Sequence, residues 1–172
     1  MNKAELKQEL AKHHQEFIRL VESFSEKEIA ESRNGKWSPA QQLDHIVKSV
    51  SPVTLAFSLP KFLLKIIFGS ANRPSKTYET LIEKYKIKLA QGGVASGRFV
   101  PPNQTAPTIR LAEKLNSLIH ALIKKIDSYT EPQLDHLILP HPLLGKLTLR
   151  EMLYFTIYHV QHHYKQVKHH EI

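Results

Sequence analysis

Apolar residues that recur at alternating steps of three and four are the feature of this sequence that most limits its fold. The spacing is clearest within residues 107–128, where one helical stripe consists of Leu111, Leu115, Leu118, Ile119, Leu122 and Ile126. Similar stripes follow residues 2, 38 and 148, a shorter one covers residues 77–89, and no convincing strand hairpin is visible. The pattern predicts an all-α protein. We expect an up-and-down four-helix bundle with an extra kinked helical segment and long loops, in one domain over residues 1–172.

Three of the predicted helices begin at capping signatures. In each, a small polar side chain and a Glu or Gln three residues later satisfy one another's backbone N–H groups. The pairs are Asn2 with Glu5, Ser38 with Gln41, and Thr148 with Glu151. Pro39 strengthens the second start because proline suits the first helical position. The first helix is predicted to continue until just before Asn34 and Gly35.

The last predicted helix, residues 148–166, carries an inward stripe that begins apolar and ends in imidazole. Its members are Leu149, Met152, Thr156, His159, His163, Gln166 and His170. Side chains four apart on a helix lie side by side, about 5–6 Å apart at Cβ, so His159 and His163 are close enough to ligate one metal ion. His162 could pair with His159 instead, but it lies on the flank of the stripe. The alternative is that these are merely surface histidines.

The other histidines have weaker signals. His13 falls on the apolar stripe of the first helix and could lie near a site between helices, whereas His14 is predicted to point away. His45 lies beside the apolar face of the second helix and, taken alone, fits a structural histidine with a hydrogen bond. His136 and His141 lie in a turn-rich link, residues 130–145, and no pattern marks either as a ligand.

The composition restricts the chemistry of any site. Because the chain has no cysteine, disulfide scaffolds, thiolate metal sites and cysteine nucleophiles are excluded, and a metal must have nitrogen and oxygen ligands. The first residues are charged and amphipathic and do not resemble a signal peptide, so a cytoplasmic location is expected.

The formal net charge of +8 is concentrated in residues 61–98, which contain eight basic and two acidic side chains. Such a stretch could attract an anionic substrate or nucleic acid, but no recognised nucleic-acid motif accompanies it. We interpret it as a solvated basic face. The glycines within residues 92–97 lack the Gly-Lys-Ser/Thr ending of a phosphate loop, so residues 92–102 are predicted to be an irregular connection able to form the wall or lid of a site.

Residues 53–68 form the most apolar stretch of the chain. They are too few for a transmembrane span and include Pro60, Lys61 and Lys65. Burial in the bundle or in a subunit contact is the favoured interpretation, and a membrane-surface helix is the alternative. Pro52 and Pro60 are expected to kink or interrupt this part of the chain.

Three motifs together resemble the DinB/YfiT-like superfamily of bacterial four-helix-bundle proteins. They are WSPAQQLDHI at residues 37–46, HPLLGKLTLRE at residues 141–151 and YHVQHH at residues 158–163. In that family, one histidine near the start of the second helix joins two histidines four apart on the last helix. The resemblance therefore implies a metal centre formed by His45, His159 and His163, with His162 as a neighbour that does not ligate.

The same resemblance implies a divalent metal, usually nickel or zinc, with coordination positions open to water or substrate. Family members resemble metal-dependent hydrolases in their site chemistry, some are transferases that use low-molecular-weight thiols, and many are homodimers. The sequence does not identify a general base. Asp44 is rotated about 100° from His45 on the helix and is expected to face solvent, and Glu151 already caps a helix.

Three functions remain open from the sequence. The first is a metal-dependent hydrolase or thiol S-transferase that acts on a small molecule, without stable membrane insertion. The second is a metal-binding stress or interaction protein without turnover, and the third is a nucleic-acid or anionic-surface binder that uses residues 61–98. We rank them in that order.

Overall fold

The computed structural model describes residues 1–32 and 35–169. This part of the chain forms eight α-helices, one turn of 3-10 helix at Gly97–Phe99 and one small hairpin. The helices are α1 (Lys3–Glu22), α2 (Glu26–Ala30), α3 (Pro39–Ser58), α4 (Lys61–Phe68), α5 (Tyr78–Ala90), α6 (Thr108–Ile126), α7 (Glu131–His136) and α8 (Leu149–Lys168). The strands are β1 (Ile138–His141) and β2 (Gly145–Thr148). The prediction of an all-α protein is confirmed.

Contacts at the helix ends give the directions of the four long helices, α1, α3, α6 and α8. The Met1 amino group donates to the Tyr154 hydroxyl over 3.2 Å, so α1 and α8 start at the same end. The Tyr129 hydroxyl, just after α6, donates to the Phe57 carbonyl near the end of α3 over 3.4 Å, so α3 and α6 are also parallel. The Lys3 ammonium donates to the Tyr129 carbonyl over 2.6 Å, which makes α1 antiparallel to α6. The bundle is therefore up, down, down, up, and residues 59–107 return the chain across it.

Two buried apolar clusters fill the bundle, one towards each end. The cluster near the start of α1 includes Leu6, Leu10, Phe57, Leu122, Ile126 and Leu153. The cluster near the end of α1 includes Phe17, Val21, Leu43, Leu115, Val160 and Val167. Because apolar burial is the main favourable contribution to folding, these clusters fix the positions of the long helices. The second cluster includes residues of α3 and α8 that neighbour His45, His159 and His163 in sequence.

The helix starts are confirmed, but one helix end is not. Capping boxes are present at Asn2, Ser38 and Thr148. The prediction of one first helix up to Asn34 is wrong: α1 ends at Glu22, because Ser25 starts the separate helix α2 with its own capping box. Asn34 itself lies outside the described residues, as does His170 of the last predicted stripe.

His14, and not His13, is the buried histidine of α1. The His14 side chain is fully enclosed, and its Nδ1–H donates to the Leu10 carbonyl over 2.8 Å. His13 lies nearer the surface, with ring nitrogens 2.9 Å from Glu9 and 3.1 Å from Glu16. The expectation that His14 points away is therefore wrong, whereas His13 does lie between helices, where it lines a surface cavity together with Tyr78 of α5 and Gln161 of α8.

Of the two prolines expected to kink or interrupt residues 52–68, only Pro60 ends a helix. Helix α3 continues through Pro52, and α4 starts after Pro60 at an angle of 114° to α3. Helix α4 has only Leu64 fully buried, so the expected burial in the bundle does not hold for this helix. Within the described residues, no single helix is long and apolar enough to cross a membrane. Only α3 and α4 taken together have the length and composition of a membrane span, and the two are sharply bent relative to one another.

A two-stranded hairpin precedes α8, although no convincing hairpin is visible in the sequence. Strands β1 and β2 are antiparallel, with Ile138 opposite Thr148 and His141 opposite Gly145. Pro140 is tolerated because a two-stranded hairpin leaves each strand with a free edge. The hairpin leads directly into the N-cap of α8 at Thr148, so it helps to fix where the histidine-bearing helix starts.

Candidate metal centre

Three histidines from two helices meet between α3 and α8. Because these helices are adjacent and antiparallel, His45 in the second turn of α3 lies opposite the C-terminal half of α8. The Nε2 atom of His159 is 3.2 Å from Nε2 of His45 and 3.1 Å from Nε2 of His163. All three possible ligand atoms lie within 4.8 Å of one another, and this is the one group of three or more potential metal ligands found in residues 1–32 and 35–169.

The two separations measured from His159 fit a common metal ion. Nitrogens about 2.1 Å from one ion, at angles between 90° and tetrahedral, lie about 3.0–3.4 Å apart. Without a shared proton or cation, imidazole lone pairs that face one another at 3.1 and 3.2 Å would repel. The donor set also fits, because imidazole nitrogen suits nickel, zinc and other borderline divalent metals. The three-histidine group could therefore hold a metal ion.

Two of the histidines are oriented by hydrogen bonds at their other ring nitrogen. The Nδ1–H of His45 donates to the Phe99 carbonyl over 2.7 Å, and the Nδ1–H of His163 donates to the buried Oε1 of Gln42. With the proton on Nδ1, Nε2 of each ring keeps its lone pair. Such partners of ligating histidines typically fix the tautomer and increase ligand basicity. His159 is instead held by Phe155, whose ring stacks on it at a centroid distance of 4.8 Å.

Burial keeps the three imidazoles neutral near physiological pH. Their exposed fractions are only 5% for His45, 6% for His159 and 5% for His163. Desolvation lowers the pKa of His159 and His163 well below the ordinary histidine value, and the neighbouring histidines lower both further. Burial also lowers the pKa of His45, although its hydrogen bond to Phe99 opposes the shift. Neutral imidazole is the form that binds metal, so the site pays no deprotonation cost at pH 7.

The irregular connection after α5 covers the start of α3. Three backbone carbonyls of this connection accept hydrogen bonds from side chains on one face of α3: Pro102 from Gln41, Phe99 from His45, and Val100 from Lys48. The prediction that this connection forms a wall of the site agrees with these contacts. Tyr85 of α5 closes the other side, with its ring 6.2 Å from that of His159. Water access to the group is therefore narrow.

The other histidines within residues 1–32 and 35–169 stay outside the group. The Nε2 of His162 is 2.8 Å from the amide nitrogen of Gln166, one turn further along α8. His141 accepts hydrogen bonds at Nδ1 from the backbone N–H groups of Leu143 and Leu144, so it stabilises the turn of the hairpin. Burial and the nearby Lys84 lower the pKa of His141 to about 4. His136 is exposed at the end of α7.

Both carboxylates considered from the sequence have structural partners. Asp44 is not solvent-facing as expected: it is buried beneath Lys48, whose ammonium is 2.7 Å from Oδ2. Glu151 is fully buried, caps α8 together with Thr148, and receives two hydrogen bonds of 2.6 and 2.8 Å from Arg73. In the described part of the chain, neither one joins the three-histidine group.

The basic stretch is partly used inside the fold, so its interpretation as a solvated face is too simple. Arg73 and Lys76 pair with Glu151, and Lys84 donates to the Leu144 carbonyl. Lys61 donates to the Ser128 carbonyl and to Gln133. These contacts attach residues 59–107, which connect α3 to α6, to α7, the hairpin and α8.

Gln42 is the site residue that the sequence analysis missed. It lies three residues before His45 and therefore on the same face of α3, which is the signal that could have revealed it. The Phe99 carbonyl carries no side-chain signal and could not have been found from the sequence. A surface cavity of about 860 Å³ lies elsewhere, on the face of α8 that carries Tyr154 and Gln161, and none of the three histidines lines it.

Fold and site together define a class: a four-helix bundle in which one histidine of the second long helix and two of the last form a group able to hold a divalent metal. The family model of the DinB superfamily matches residues 9–167, so the chain belongs to this superfamily. No curated protein and no solved structure matches the chain. The family resemblance inferred from the three motifs is thus confirmed.

Proposed function

We propose that the protein binds one divalent metal, nickel or zinc, through His45, His159 and His163, and uses it to transform a small molecule. The observation that carries the proposal is the approach of Nε2 of His45 and Nε2 of His163 to Nε2 of His159, at 3.2 and 3.1 Å, with the first two rings oriented at Nδ1 by Phe99 and Gln42. An N–H of His159 could donate to only one of these two neighbours, whereas a metal ion would contact all three nitrogens.

The reaction types we propose are hydrolysis or thiol S-transfer. Three neutral ligands leave the double charge of a bound cation uncompensated and leave coordination positions for a substrate or water. A metal bound there would supply Lewis acidity, which acidifies a coordinated water or thiol and polarises a carbonyl. The Phe99 carbonyl and Gln42 orient two of the ligand rings, and Phe155 and Tyr85 keep bulk water out. No side chain adds a negative charge to the described site.

The absence of a carboxylate from the described site favours chemistry that needs no separate general base. A thiol S-transferase fits this condition, because coordination alone deprotonates a thiol. A hydrolase fits it if the acidified water is the nucleophile. In both cases the substrate must be small, since the covering connection and the aromatic rings leave little room above the histidines.

Turnover assays on metal-loaded protein test this proposal. Nickel- or zinc-loaded protein would be assayed with p-nitrophenyl acetate for hydrolysis, and with chlorodinitrobenzene plus cysteine, glutathione or coenzyme A for thiol transfer. We expect activity that is lost on chelation and in His159→Ala but is retained in His162→Ala. Activity that survives both chelation and His159→Ala would contradict a role for the metal.

A second candidate function is metal binding without turnover. It is favoured by the burial of the group, with each histidine no more than 6% exposed, and by the carboxylates that are already engaged elsewhere. A loaded protein that is inactive with all these probes, but becomes strongly resistant to heat on loading, would favour this second function.

A further inference from the structure

Helix α4 presents an uninterrupted apolar face to solvent. Its inward side consists of Leu64, which is fully buried, and Phe68, which packs against the core at the hairpin end. The opposite side exposes Phe62 by 63%, Ile66 by 75% and Ile67 by 59%. At 100° per residue these three side chains fall within one continuous arc of the helix. Leu55, in the last turn of α3 before the bend, is also 65% exposed.

The surroundings of this face carry positive charge without matching negative charge. Residues 45–78 contain no Asp or Glu and five Lys or Arg residues. Lys65 is exposed at the edge of the apolar arc, and the exposed Lys124 and Lys125 end the neighbouring helix α6. The carboxylates at this end of the bundle are already engaged, Asp127 with Lys7 and Glu131 with Arg150.

A second copy of the chain is a poor partner for this face. Four exposed side chains of this size offer on the order of 500 Å², whereas a stable interface buries about 800 Å² on each partner. In a two-fold interface the same patch meets itself, so Lys65 would approach its own copy with no carboxylate in the surrounding segment to neutralise it. An anionic surface avoids this repulsion, because it attracts the lysines and can also accept the apolar side chains.

We propose that α4 is a peripheral anchor for an anionic phospholipid surface. Phe62, Ile66 and Ile67 enter the boundary between headgroups and acyl chains, while Lys65 and the lysines at the end of α6 contact the phosphates. The 114° bend after α3 lays α4 across the end of the bundle, which lets its apolar arc meet a plane. This is the arrangement of an interfacial helix, which lies on the membrane and does not span it.

Vesicle co-sedimentation with the full-length protein tests the anchor. The vesicles would be pure phosphatidylcholine or a mixture with phosphatidylglycerol, at low and at physiological salt. The test variant is Phe62→Ser/Ile66→Ser, and the matched control is Val94→Ser/Ile109→Ser, which removes two equally exposed apolar side chains, 72% and 60% exposed, outside α4. Lys65→Glu tests the electrostatic part.

The wild type is expected to bind phosphatidylglycerol vesicles at least about tenfold more tightly than phosphatidylcholine vesicles, with binding that weakens as salt rises. Phe62→Ser/Ile66→Ser should lose about tenfold or more of that binding, Lys65→Glu about fivefold, and the control little. Absence of wild-type binding, or equal losses in the control, would overturn the proposal. Light scattering that shows a dimer abolished by Phe62→Ser/Ile66→Ser would instead assign the face to a second copy. None of these results depends on the metal centre.

Discussion

Replacing Gln42 by leucine removes the acceptor that orients His163 while nearly preserving side-chain volume. The amide is 3% exposed, so no water replaces it readily, and the Nδ1–H of His163 loses its partner. The ring can then carry its proton on Nε2, which blocks the nitrogen that faces His159. Loss of such a supporting hydrogen bond typically lowers metal affinity about 10–100-fold, which corresponds to about 1.4–2.7 kcal/mol. We expect Gln42→Leu to weaken nickel binding by this factor.

The single tryptophan provides the assay for this variant. The ring of Trp37 lies 5.0 Å from that of His45 and 6.5 Å from that of His163, so a paramagnetic ion such as nickel bound nearby should quench its fluorescence. Titration with nickel at pH 7.5 gives the dissociation constant of each variant.

The matched control for Gln42→Leu is Gln166→Leu. Gln166 also contacts a histidine, but this is His162, which lies outside the three-histidine group. The control should bind nickel like the wild type. If Gln42→Leu binds as tightly as the wild type, or if both variants weaken equally, the orientation of His163 by Gln42 would be refuted.

Two further predictions concern the stability of the metal-free protein in urea. Burial lowers the pKa of His14 to about 4, whereas the ordinary histidine value in the unfolded chain is about 6.5. Between these two pH values the unfolded chain binds a proton at His14 and the folded chain does not, so lowering the pH favours unfolding. The free energy of unfolding should therefore fall by up to about 3 kcal/mol as the pH drops from 6.5 towards 4. His14→Phe should therefore show a shallower loss of unfolding free energy between pH 6.5 and 4, and parallel profiles would mean that His14 titrates freely in the folded protein. Glu151→Gln removes the fully buried carboxylate that pairs with Arg73. Because the Arg73 side chain is itself 35% exposed and can still contact water, we expect the free energy of unfolding at pH 7 to fall by only about 2–3 kcal/mol. A loss below about 0.5 kcal/mol would show that this ion pair contributes little.

Structural features that depend only on neighbouring residues in the chain could be predicted from the sequence. The start of α8 follows from the capping box at Thr148, and the neighbouring positions of His159 and His163 follow from helical spacing alone. His45 is different, because its approach to His159 depends on α3 being adjacent and antiparallel to α8, which no local pattern specifies. Only the family resemblance connected it to the other two.

The error on α1 has a simple geometric origin. A stripe that contains Leu10 and Phe17 can be continued by a residue three or four positions after Leu10, so both His13 and His14 satisfy the spacing. The structure decides for His14 because its Nδ1–H can donate to the Leu10 carbonyl, while His13 finds charged partners at the surface. The hairpin before α8 was missed because its strands are only four residues long and one contains Pro140.

Metal content measured by elemental mass spectrometry tests most directly whether His45, His159 and His163 hold one divalent metal. Untagged wild type, His45→Ala, His159→Ala and His162→Ala would be incubated with nickel or zinc and freed of excess metal. We predict about one ion per chain in the wild type and in His162→Ala, and nearly none in His45→Ala and His159→Ala. A wild type that stays empty, or equal losses in His162→Ala and His159→Ala, would contradict this assignment.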